Sequence, residues 1–311
     1  MTFTLDALPP QPDKIAVVTG ANTGLGYETA LGLARQQIWV VMACRSLERA
    51  AQARADIAAQ VPGARLDILP VDLADLASVR RFAQVFRQRY DRLDLLINNA
   101  GIMLVPYRKT ADGLESHMAV NYFGHFLLTA LLLDLMPDRS DSRVVALSSN
   151  AHKFCRRIRF DDLPWEQGYS KLGAYAQSKL VCLMFALELQ RRLERSGRNI
   201  LSVAAHPGLA ATELARYMPR YQMRLLQYTL GPFLSHPADG AMPTLMAALD
   251  PAVQGGEYFG PQGLLEFSGL PGAAPKSAYA QDPAAARRLW QVSEQLTDCE
   301  FRIGDAIAAS R

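Results

Sequence analysis

The chain has few cysteines, and they lie far apart. Four occur in 311 residues (Cys44, Cys155, Cys182 and Cys299), with no C-x-x-C pair among them. This pattern is typical of reduced thiols and argues against a disulfide framework or a zinc site. The five histidines also show no H-E-x-x-H or other metal-ligand spacing. The sequence therefore predicts a protein that binds no metal.

Long apolar runs and a strong charge of one sign are also lacking. The longest apolar stretch, 123–136, is interrupted by His125 and Asp134 and is too short to span a bilayer, so it predicts a buried helix. Residues 1–14 do not have the basic and then apolar pattern of a signal peptide. A net charge of +3 with scattered arginines gives no reason to expect nucleic acid. We therefore expect a cytoplasmic protein without a transmembrane segment.

What the chain does have, from Lys14 onward, is a regular alternation of short β-branched segments with longer helical ones. This alternation predicts an α/β fold, a doubly wound parallel (Rossmann) sheet with helices on both faces. No internal repeat occurs, so we expect a single domain over 1–311 with a C-terminal tail from about residue 260. The predicted strands are 15–19, 38–43, 66–71, 93–97, 143–147 and 200–205, and the predicted helices include 24–36, 47–60, 76–90 and 282–297.

A glycine-rich turn follows the first predicted strand and opens the first helix. Glycines there allow a tight turn and a close approach of the backbone to pyrophosphate, whose charge is favoured at a helix N-terminus. Such a turn can also be purely structural, but its place between a strand and a helix near the chain start favours a nucleotide site. Its residues are Thr19, Gly20, Ala21, Asn22, Thr23, Gly24, Leu25 and Gly26.

The end of the second predicted strand favours NADP(H), with NAD(H) as the alternative cofactor. An acidic residue at this place binds the ribose hydroxyls of NAD(H), whereas an arginine accommodates the 2′-phosphate of NADP(H). The chain has Arg45 and Ser46 here and no acid. Arg45 can bind a phosphate through two parallel hydrogen bonds, with Ser46 as a lesser helper. The alternative is a solvated loop arginine.

Tyr175 and Lys179 lie four residues apart at the start of a predicted helix, and so on one helical face. A free tyrosine titrates near pH 10 and is a poor base at neutral pH. An adjacent ammonium would lower the pKa of the phenol and suit the pair to proton transfer with an alcohol. Most tyrosine–lysine pairs at this spacing are surface neighbours. The surrounding motifs therefore determine whether this pair is interpreted as catalytic.

Those motifs resemble the short-chain dehydrogenase/reductase family over nearly the whole chain. Within them, the motif sequences are similar to those of the subgroup of retinol dehydrogenases and NADP-preferring reductases. These sequences are T-G-A-N-T-G-L-G, A-C-R, N-x-F-G-H-F-L-L-T, S-S-x-A-H and A-H-P-G. Asn98 argues against the related protochlorophyllide reductases, which usually have cysteine there. The matching residues are Thr19 to Gly26, Asp72, the N-N-A-G stretch 98–101, Asn121, Ser149, Tyr175 with Lys179, and Pro207, Gly208 and Thr212.

The resemblance implies a catalytic role for four residues. Tyr175 exchanges a proton with the substrate oxygen, and Lys179 lowers the pKa of Tyr175 and binds the nicotinamide ribose. Ser149 holds the substrate oxygen, with Ser148 as the alternative. Asn121 positions a water that relays protons to Lys179. Structural roles remain open: Asn121 as a helix cap or kink, Ser149 as a turn residue.

The cofactor contacts follow from the same resemblance. Thr212 would bind the nicotinamide carboxamide, unless it only caps a helix. The other implied cofactor-binding residues are Gly20, Asn22, Thr23, Gly24, Leu25, Gly26, Arg45, Ser46, Asp72, Leu73, Asn99, Ala100, Gly101, Tyr175, Lys179, Pro207 and Gly208.

Two segments are expected to frame the substrate: 150–173, a long connection that carries Phe154, Phe160, Leu163 and Trp165, and 209–237, which is rich in Leu, Met, Tyr and Phe. The second predicts a lid over a lipophilic carbonyl or alcohol, with a core-covering helix pair or a membrane-facing surface as alternatives. The apolar N-terminal anchor common in retinol dehydrogenases is not seen in residues 1–14, so a retinoid is one lipophilic substrate among many.

The helix around 175–194 is apolar on nearly every side and needs a partner surface. A homodimer would supply one, and the C-terminal tail is the alternative. The predicted function is an NADP(H)-dependent oxidoreductase that moves a hydride between nicotinamide and a carbonyl or alcohol. The alternatives are a catalytically silent NADP-binding sensor or scaffold, and a different reaction, such as epimerisation or dehydration, on the same scaffold.

Overall fold

The computed structural model describes residues 3–209 and 236–304, and the strands of this part of the chain form one sheet. They are β1 Ile15–Thr19, β2 Trp39–Cys44, β3 Leu66–Pro70, β4 Leu95–Asn98, β5 Arg143–Leu147, β6 Leu201–Ala205, β7 Tyr258–Pro261 and β8 Pro271–Ala273. Their order is β3-β2-β1-β4-β5-β6-β7-β8. Strands β1 to β7 pair in parallel, as in the predicted doubly wound fold.

Helices cover both faces of this sheet. They are α1 Gly24–Arg35, α2 Leu47–Gln60, α3 Leu76–Arg89, α4 (the consecutive stretches Ser116–Met118, Ala119–Phe123 and Gly124–Leu132), α5 Lys171–Arg195, α6 Pro237–Leu249 and α7 Pro283–Leu296. Because successive strand side chains point to opposite faces, Val17 packs in one apolar core with Phe82 and Phe126. Val18 packs in the other with Leu245. Each face of the sheet is therefore buried.

The C-terminal part of the sheet differs from the prediction. The six predicted strands are present with shifts of one or two residues at their ends, but β7 and β8 were missed, and β8 pairs antiparallel with β7. Both lie in the segment 255–275, whose glycines and prolines are poor strand formers and suggested an irregular tail. Proline is tolerated in β8 because this strand lies at the edge of the sheet.

Two helical stretches in the described residues are long and apolar enough to cross a membrane by length and composition, Ser116–Leu135 and Lys171–Arg195. Their most apolar windows are 72% and 89% buried inside the protein. The core helices of soluble proteins pass the same test, so it gives only weak support for a membrane span. The buried helix predicted over 123–136 is confirmed by its position in the core.

Helix α5 is covered by the C-terminal segment. Phe185 of α5 stacks on Trp290 of α7 with ring centroids 5.9 Å apart, and the guanidinium of Arg192 lies 4.1 Å from the same indole ring. Ser293 of α7 also makes a buried 2.7 Å hydrogen bond with Tyr122. The structure thus shows the second of the two expected covers for this apolar helix, the tail of the same chain.

Candidate active site

The predicted site residues gather at one edge of the sheet. Strands β1 and β4 are neighbours in the sheet, and the chain leaves them toward opposite sides, which opens a crevice at their carboxyl ends. Parallel strands bring all their carboxyl ends to the same edge. The residues that follow them are Gly20 after β1, Arg45 after β2, Asp72 and Leu73 after β3, Asn99, Ala100 and Gly101 after β4, Ser149 after β5, and Pro207 and Gly208 after β6.

The turn from β1 into α1 needs glycine at particular positions. Gly20 and Gly24 have φ of +67° and +55°, which side chains strongly disfavour. A Cβ on Gly26 would lie 2.3 Å from the carbonyl oxygen of Gly20. Gly26 therefore lets the first turn of α1 pack closely on the end of β1, and Asn22 and Thr23 lie in the turn just before the N-terminus of α1. A pyrophosphate fits this arrangement.

The N-N-A-G loop is held by Thr19, to which the sequence analysis gave no separate role. The hydroxyl oxygen of Thr19 accepts hydrogen bonds from the backbone amides of Asn99 and Ala100, both at 2.9 Å. The side-chain amide of Asn99 donates to the carbonyl oxygen of Thr19 at 2.7 Å. The loop after β4 is thus fastened to the end of β1, across the crevice.

Arg45 lies at the mouth of this crevice with its side chain 70% exposed. Its guanidinium is 3.9 Å from the carboxylate of Asp72, a loose contact that an exposed phosphate could replace. Ser46 caps α2 and accepts a 3.4 Å hydrogen bond from the amide of Arg49. Leu73 is buried, and its carbonyl oxygen lies against α4 where only a glycine, Gly124, leaves room.

Tyr175 and Lys179 lie on one face of α5, and both are buried. Burial raises the pKa of Tyr175 to about 12, and a hydrogen bond with the side chain of Ser149 acts in the opposite direction. Burial lowers the pKa of Lys179, whose ammonium donates to the carbonyl oxygen of Leu147 at 2.9 Å. Three of the four predicted catalytic side chains therefore meet at the ends of β5 and α5.

Burial opposes the expected lowering of the Tyr175 pKa by Lys179. The dominant influence on the phenol is its burial, which disfavours the phenolate. The lysine ammonium is directed to Leu147 instead of the phenol. At neutral pH Tyr175 is thus a protonated phenol, suited to giving a proton to a carbonyl oxygen.

Asn121 lies in a π-helical turn, Ala119–Phe123, inside α4. Its side-chain oxygen accepts from the amide of Ile102 at 2.8 Å, and its side-chain nitrogen donates to Ile102 at 3.0 Å and to Ser178 at 2.8 Å. A Cβ on Gly101 would lie 3.3 Å from the Asn121 oxygen and 3.4 Å from the Lys179 nitrogen. Asn121 therefore joins the N-N-A-G loop to α5 beside Lys179.

The two adjacent serines after β5 differ in what they bind. Ser148 is buried and donates its hydroxyl proton to the carbonyl oxygen of Lys179 at 2.7 Å. Ser149 accepts from the amide of Ala151 at 3.2 Å, as a turn residue does, and also interacts with Tyr175. Because the Ser148 hydroxyl is used in its hydrogen bond to α5, Ser149 is the serine that can interact with the Tyr175 phenol and a substrate.

The Pro207–Gly208 turn is anchored by a buried histidine. Gly208 has φ of +69°, and its amide donates to Nδ1 of His206 at 3.2 Å. The other ring nitrogen of His206 is 3.0 Å from the carboxylate of Glu266. Thr212 and most of the expected lid, residues 210–235, lie outside the described residues.

A buried pair beside Tyr175 was missed by the sequence analysis. Nδ1 of His117 lies 2.8 Å from a carboxylate oxygen of Glu115, and the His117 ring is 6.2 Å from that of Tyr175. Glu115 also caps α4 by accepting from the amide of Met118 at 2.9 Å. An acidic residue at the start of a helix is an ordinary cap, so the sequence around Glu115 did not indicate a functional role. Within 3–209 and 236–304, no three histidine, cysteine or acidic side chains group as metal ligands.

Comparison with known proteins identifies this arrangement. The sequence matches the short chain dehydrogenase family over residues 14–222. It is 41% identical to human Retinol dehydrogenase 13 over 296 residues, which cover 93% of this chain and 86% of the relative. The chain belongs to the short-chain dehydrogenase family. It is an NAD(P)-dependent oxidoreductase that acts on CH–OH or C=O groups.

Other relatives agree with this membership. Mouse Retinol dehydrogenase 11 is 42% identical, with 91% of this chain and 85% of the relative covered. An uncharacterized protein from Mycobacterium paratuberculosis, known from a crystal structure, is 40% identical with a TM-score of 0.80, over 97% of this chain and all of the other. A Shigella flexneri short-chain dehydrogenase solved with NADP shares the fold at a TM-score of 0.62 and 24% identity, over 82% of this chain and 98% of the other.

Proposed function

We propose that this short-chain dehydrogenase uses NADP(H) to interconvert a lipophilic carbonyl compound and its alcohol. The observation that carries the proposal is the buried phenol of Tyr175, which interacts with the side chain of Ser149 and lies one helical turn before the buried Lys179. A catalytically silent NADP-binding sensor is less consistent with this, because a sensor has no need of a buried acid held against a hydroxyl.

Reduction of a carbonyl needs a hydride at carbon and a proton at oxygen, and the nicotinamide supplies the hydride when it is bound. We propose that Ser149 and Tyr175 donate hydrogen bonds to the substrate oxygen, where negative charge builds up. Tyr175 then gives its proton to that oxygen and becomes a phenolate. The ammonium of Lys179 stabilises this phenolate, so the lysine acts after proton transfer more than before it.

Asn121 is proposed to hold the water that returns a proton toward Lys179. Support comes from the position of its side-chain oxygen, close to Gly101 and the lysine nitrogen. The same side chain bonds both backbone groups of Ile102, so Asn121 also orders the loop after β4.

The preference for NADP(H) rests on Arg45. The side chain is 70% exposed at the end of β2, and its contact with Asp72 is long. An arginine so placed can form paired hydrogen bonds with the 2′-phosphate. Ser46 is proposed to assist Arg45.

The remaining proposed cofactor contacts fall into three groups. The pyrophosphate is held by Gly20, Asn22, Thr23, Gly24, Leu25 and Gly26, and the adenine side by Asp72 and Leu73. The nicotinamide half is held by Asn99, Ala100, Gly101, Tyr175, Lys179, Pro207, Gly208 and Thr212.

A lipophilic substrate is proposed from the apolar side chains within segments 150–173 and 209–237 and from the names of the retinol dehydrogenase relatives. The single domain, the lid, a homodimer and a cytoplasmic location are proposals of the same kind. Sedimentation would test the dimer, and fractionation the location.

Two measurements test the function. NADPH and NADH are titrated by nucleotide fluorescence, and a panel of aliphatic, aromatic and polyene aldehydes and ketones is followed at the nicotinamide absorbance. Arg45→Ala should weaken NADPH binding by roughly 10- to 100-fold, as loss of hydrogen bonds to a charged group does, and leave NADH binding unchanged. The exposed Arg54→Ala on α2 is the matched control.

Tyr175→Phe should lower kcat by about 10²- to 10⁴-fold with nucleotide binding retained. Tight NADPH binding without turnover of any carbonyl or alcohol would instead favour the sensor. Full activity in the phenylalanine variant would rule out the proposed proton donor.

A further inference from the structure

The histidine of the N-x-F-G-H-F-L-L-T stretch has no part in the proposed mechanism. His125 is only 3% exposed and lies in α4, four residues after Asn121. Its ring lies between two site residues: Nε2 is 2.9 Å from the hydroxyl oxygen of Thr19, and Nδ1 is 3.0 Å from the carbonyl oxygen of Asn121. One side chain therefore spans the crevice floor from β1 to α4.

The surrounding hydrogen bonds determine where the ring proton lies. The Thr19 hydroxyl oxygen already accepts from the amides of Asn99 and Ala100, which fills its two lone pairs. Its single proton can go to Nε2 of His125 at 2.9 Å or to the carbonyl oxygen of Ile97 at the longer distance of 3.3 Å. With the shorter bond formed, Nε2 is the acceptor, and Nδ1 carries the proton that is donated to Asn121.

A neutral ring agrees with this arrangement. Burial lowers the pKa of His125 to about 4, with the hydrogen bond to Asn121 opposing it. At neutral pH the ring therefore has one donor and one acceptor, and both are used. A charged ring would offer a second proton to Thr19, whose lone pairs are already filled.

These contacts close a ring of hydrogen bonds around the inner part of the crevice. Thr19 holds the amides of Asn99 and Ala100, the loop continues to Ile102, and Ile102 is held at both backbone groups by Asn121. His125 is the connection from Asn121 back to Thr19. Without it, this ring of hydrogen bonds is open between the π-helical turn and the glycine-rich end of β1.

We propose that His125 is a positioning residue, which holds Asn121 and the N-N-A-G loop in register with Thr19 and so with the proposed cofactor and proton-transfer groups. The expected effect on turnover rests on the proposed function, because it requires that the protein reduces a carbonyl compound. The hydrogen-bonded ring itself can be tested without any turnover.

The test compares His125→Phe, which keeps the ring volume but removes both hydrogen bonds, with two other variants. His125→Asn places an amide where Nδ1 was and keeps a donor for Asn121, but it does not reach Thr19. Phe126→Leu is the control, because it loosens the packing on Trp290, 5.2 Å away, and leaves the hydrogen bonds in place.

The first readout is amide hydrogen exchange at Asn99, Ala100 and Ile102. We expect exchange at these amides to be about tenfold faster in His125→Phe than in the wild type or Phe126→Leu. His125→Asn should restore protection of Ile102 more than of the other two. Nitrogen-15 spectra of the wild-type histidines at pH 7.5 should show His125 protonated at Nδ1.

The second readout is turnover of NADPH with the best aldehyde of the panel. His125→Phe should lower kcat by roughly 10- to 100-fold with less change in NADPH affinity, since a small misplacement of reacting groups has effects of this size. Unchanged exchange, the other tautomer, or losses no larger than those of Phe126→Leu would overturn the proposal. If the wild type turns over no carbonyl, the proposed function fails, while exchange and tautomer still decide the role of His125 in the ring.

Discussion

The two edges of the same sheet are built from different kinds of polar groups. At the carboxyl edge, buried groups are mostly uncharged and joined by hydrogen bonds, as with His125, Tyr175 and Asn121. At the amino edge, Asp94 is fully buried and is bonded by Arg92, by Arg139 at 2.9 Å and by the amide of Ile15 at 2.9 Å. The crevice floor is thus held by hydrogen bonds between uncharged groups, whereas an ion-pair network holds the buried acid at the amino edge.

This difference indicates which edge of the sheet carries the reaction. The charges of the amino edge neutralise one another: Lys14 lies 3.1 Å from Asp141, which also meets Arg139 at 2.9 Å. At the carboxyl edge the buried ammonium of Lys179 donates to a neutral carbonyl oxygen, that of Leu147, at 2.9 Å. Burial lowers the pKa of this group, and a negative charge that develops beside it during a reaction would favour its charged form.

The largest effect should come from removing that cation. Lys179→Met keeps the length of the side chain and should lower kcat by about 10²- to 10³-fold, because the phenolate of Tyr175 loses its stabilising charge. Steady-state kinetics on equal amounts of folded enzyme measure it. Lys171→Met, at the exposed start of the same helix, is the control. Equal activity of both variants would remove the distinction between the edges.

The second largest effect should be on the pH dependence of stability, because the two edges should lose stability in different pH ranges. Burial lowers the pKa of both His125 and His152 to about 4, whereas an unfolded histidine titrates near 6.5. The unfolded chain therefore binds more protons between about pH 6.5 and 4, and stability falls over this range by about 3 kcal/mol for each group. Urea unfolding at pH 7.5, 5.5 and 4.5 measures the loss.

The amino edge should respond only at lower pH. Burial alone would raise the pKa of Asp141, but the hydrogen bond and charge of Lys14 lower it below its usual value. The stability from that pair is present above about pH 4 and is lost as the carboxylate takes up a proton. His125→Phe should remove the share of His125 from the loss at acid pH and leave the share of His152. A profile flat down to pH 4 would contradict buried neutral histidines.

The smallest effect should be at the amino edge itself. Asp94→Asn removes the charge that three donors share and should lower the free energy of unfolding by about 2 kcal/mol. Turnover per folded enzyme should not change, since the substitution lies at the opposite end of β4 from the N-N-A-G loop. Asp161→Asn, at a 98% exposed carboxylate paired with Arg288, should cost less than about 1 kcal/mol. A loss of kcat in Asp94→Asn would show that the edges are coupled.

Local patterns were sufficient where function depends on neighbours in sequence. The spacing of Tyr175 and Lys179 places both on one helix face, and the glycines between Gly20 and Gly26 serve a single turn. Strand β5 and helix α2 agree with the prediction residue for residue, because each is a continuous patterned segment. Strands β7 and β8 were missed because pairing within the sheet, not propensity, makes them strands.

The sequence by itself determined the fold class, the family and which residues lie at the carboxyl edge. Only the tertiary structure decided how they act on one another: that burial raises the pKa of Tyr175, that Ser148 is committed to α5, and that His125 joins Thr19 to Asn121. The reason is physical. Periodicity and turn chemistry are properties of adjacent residues, whereas burial and hydrogen bonds across the sheet depend on segments a hundred residues apart.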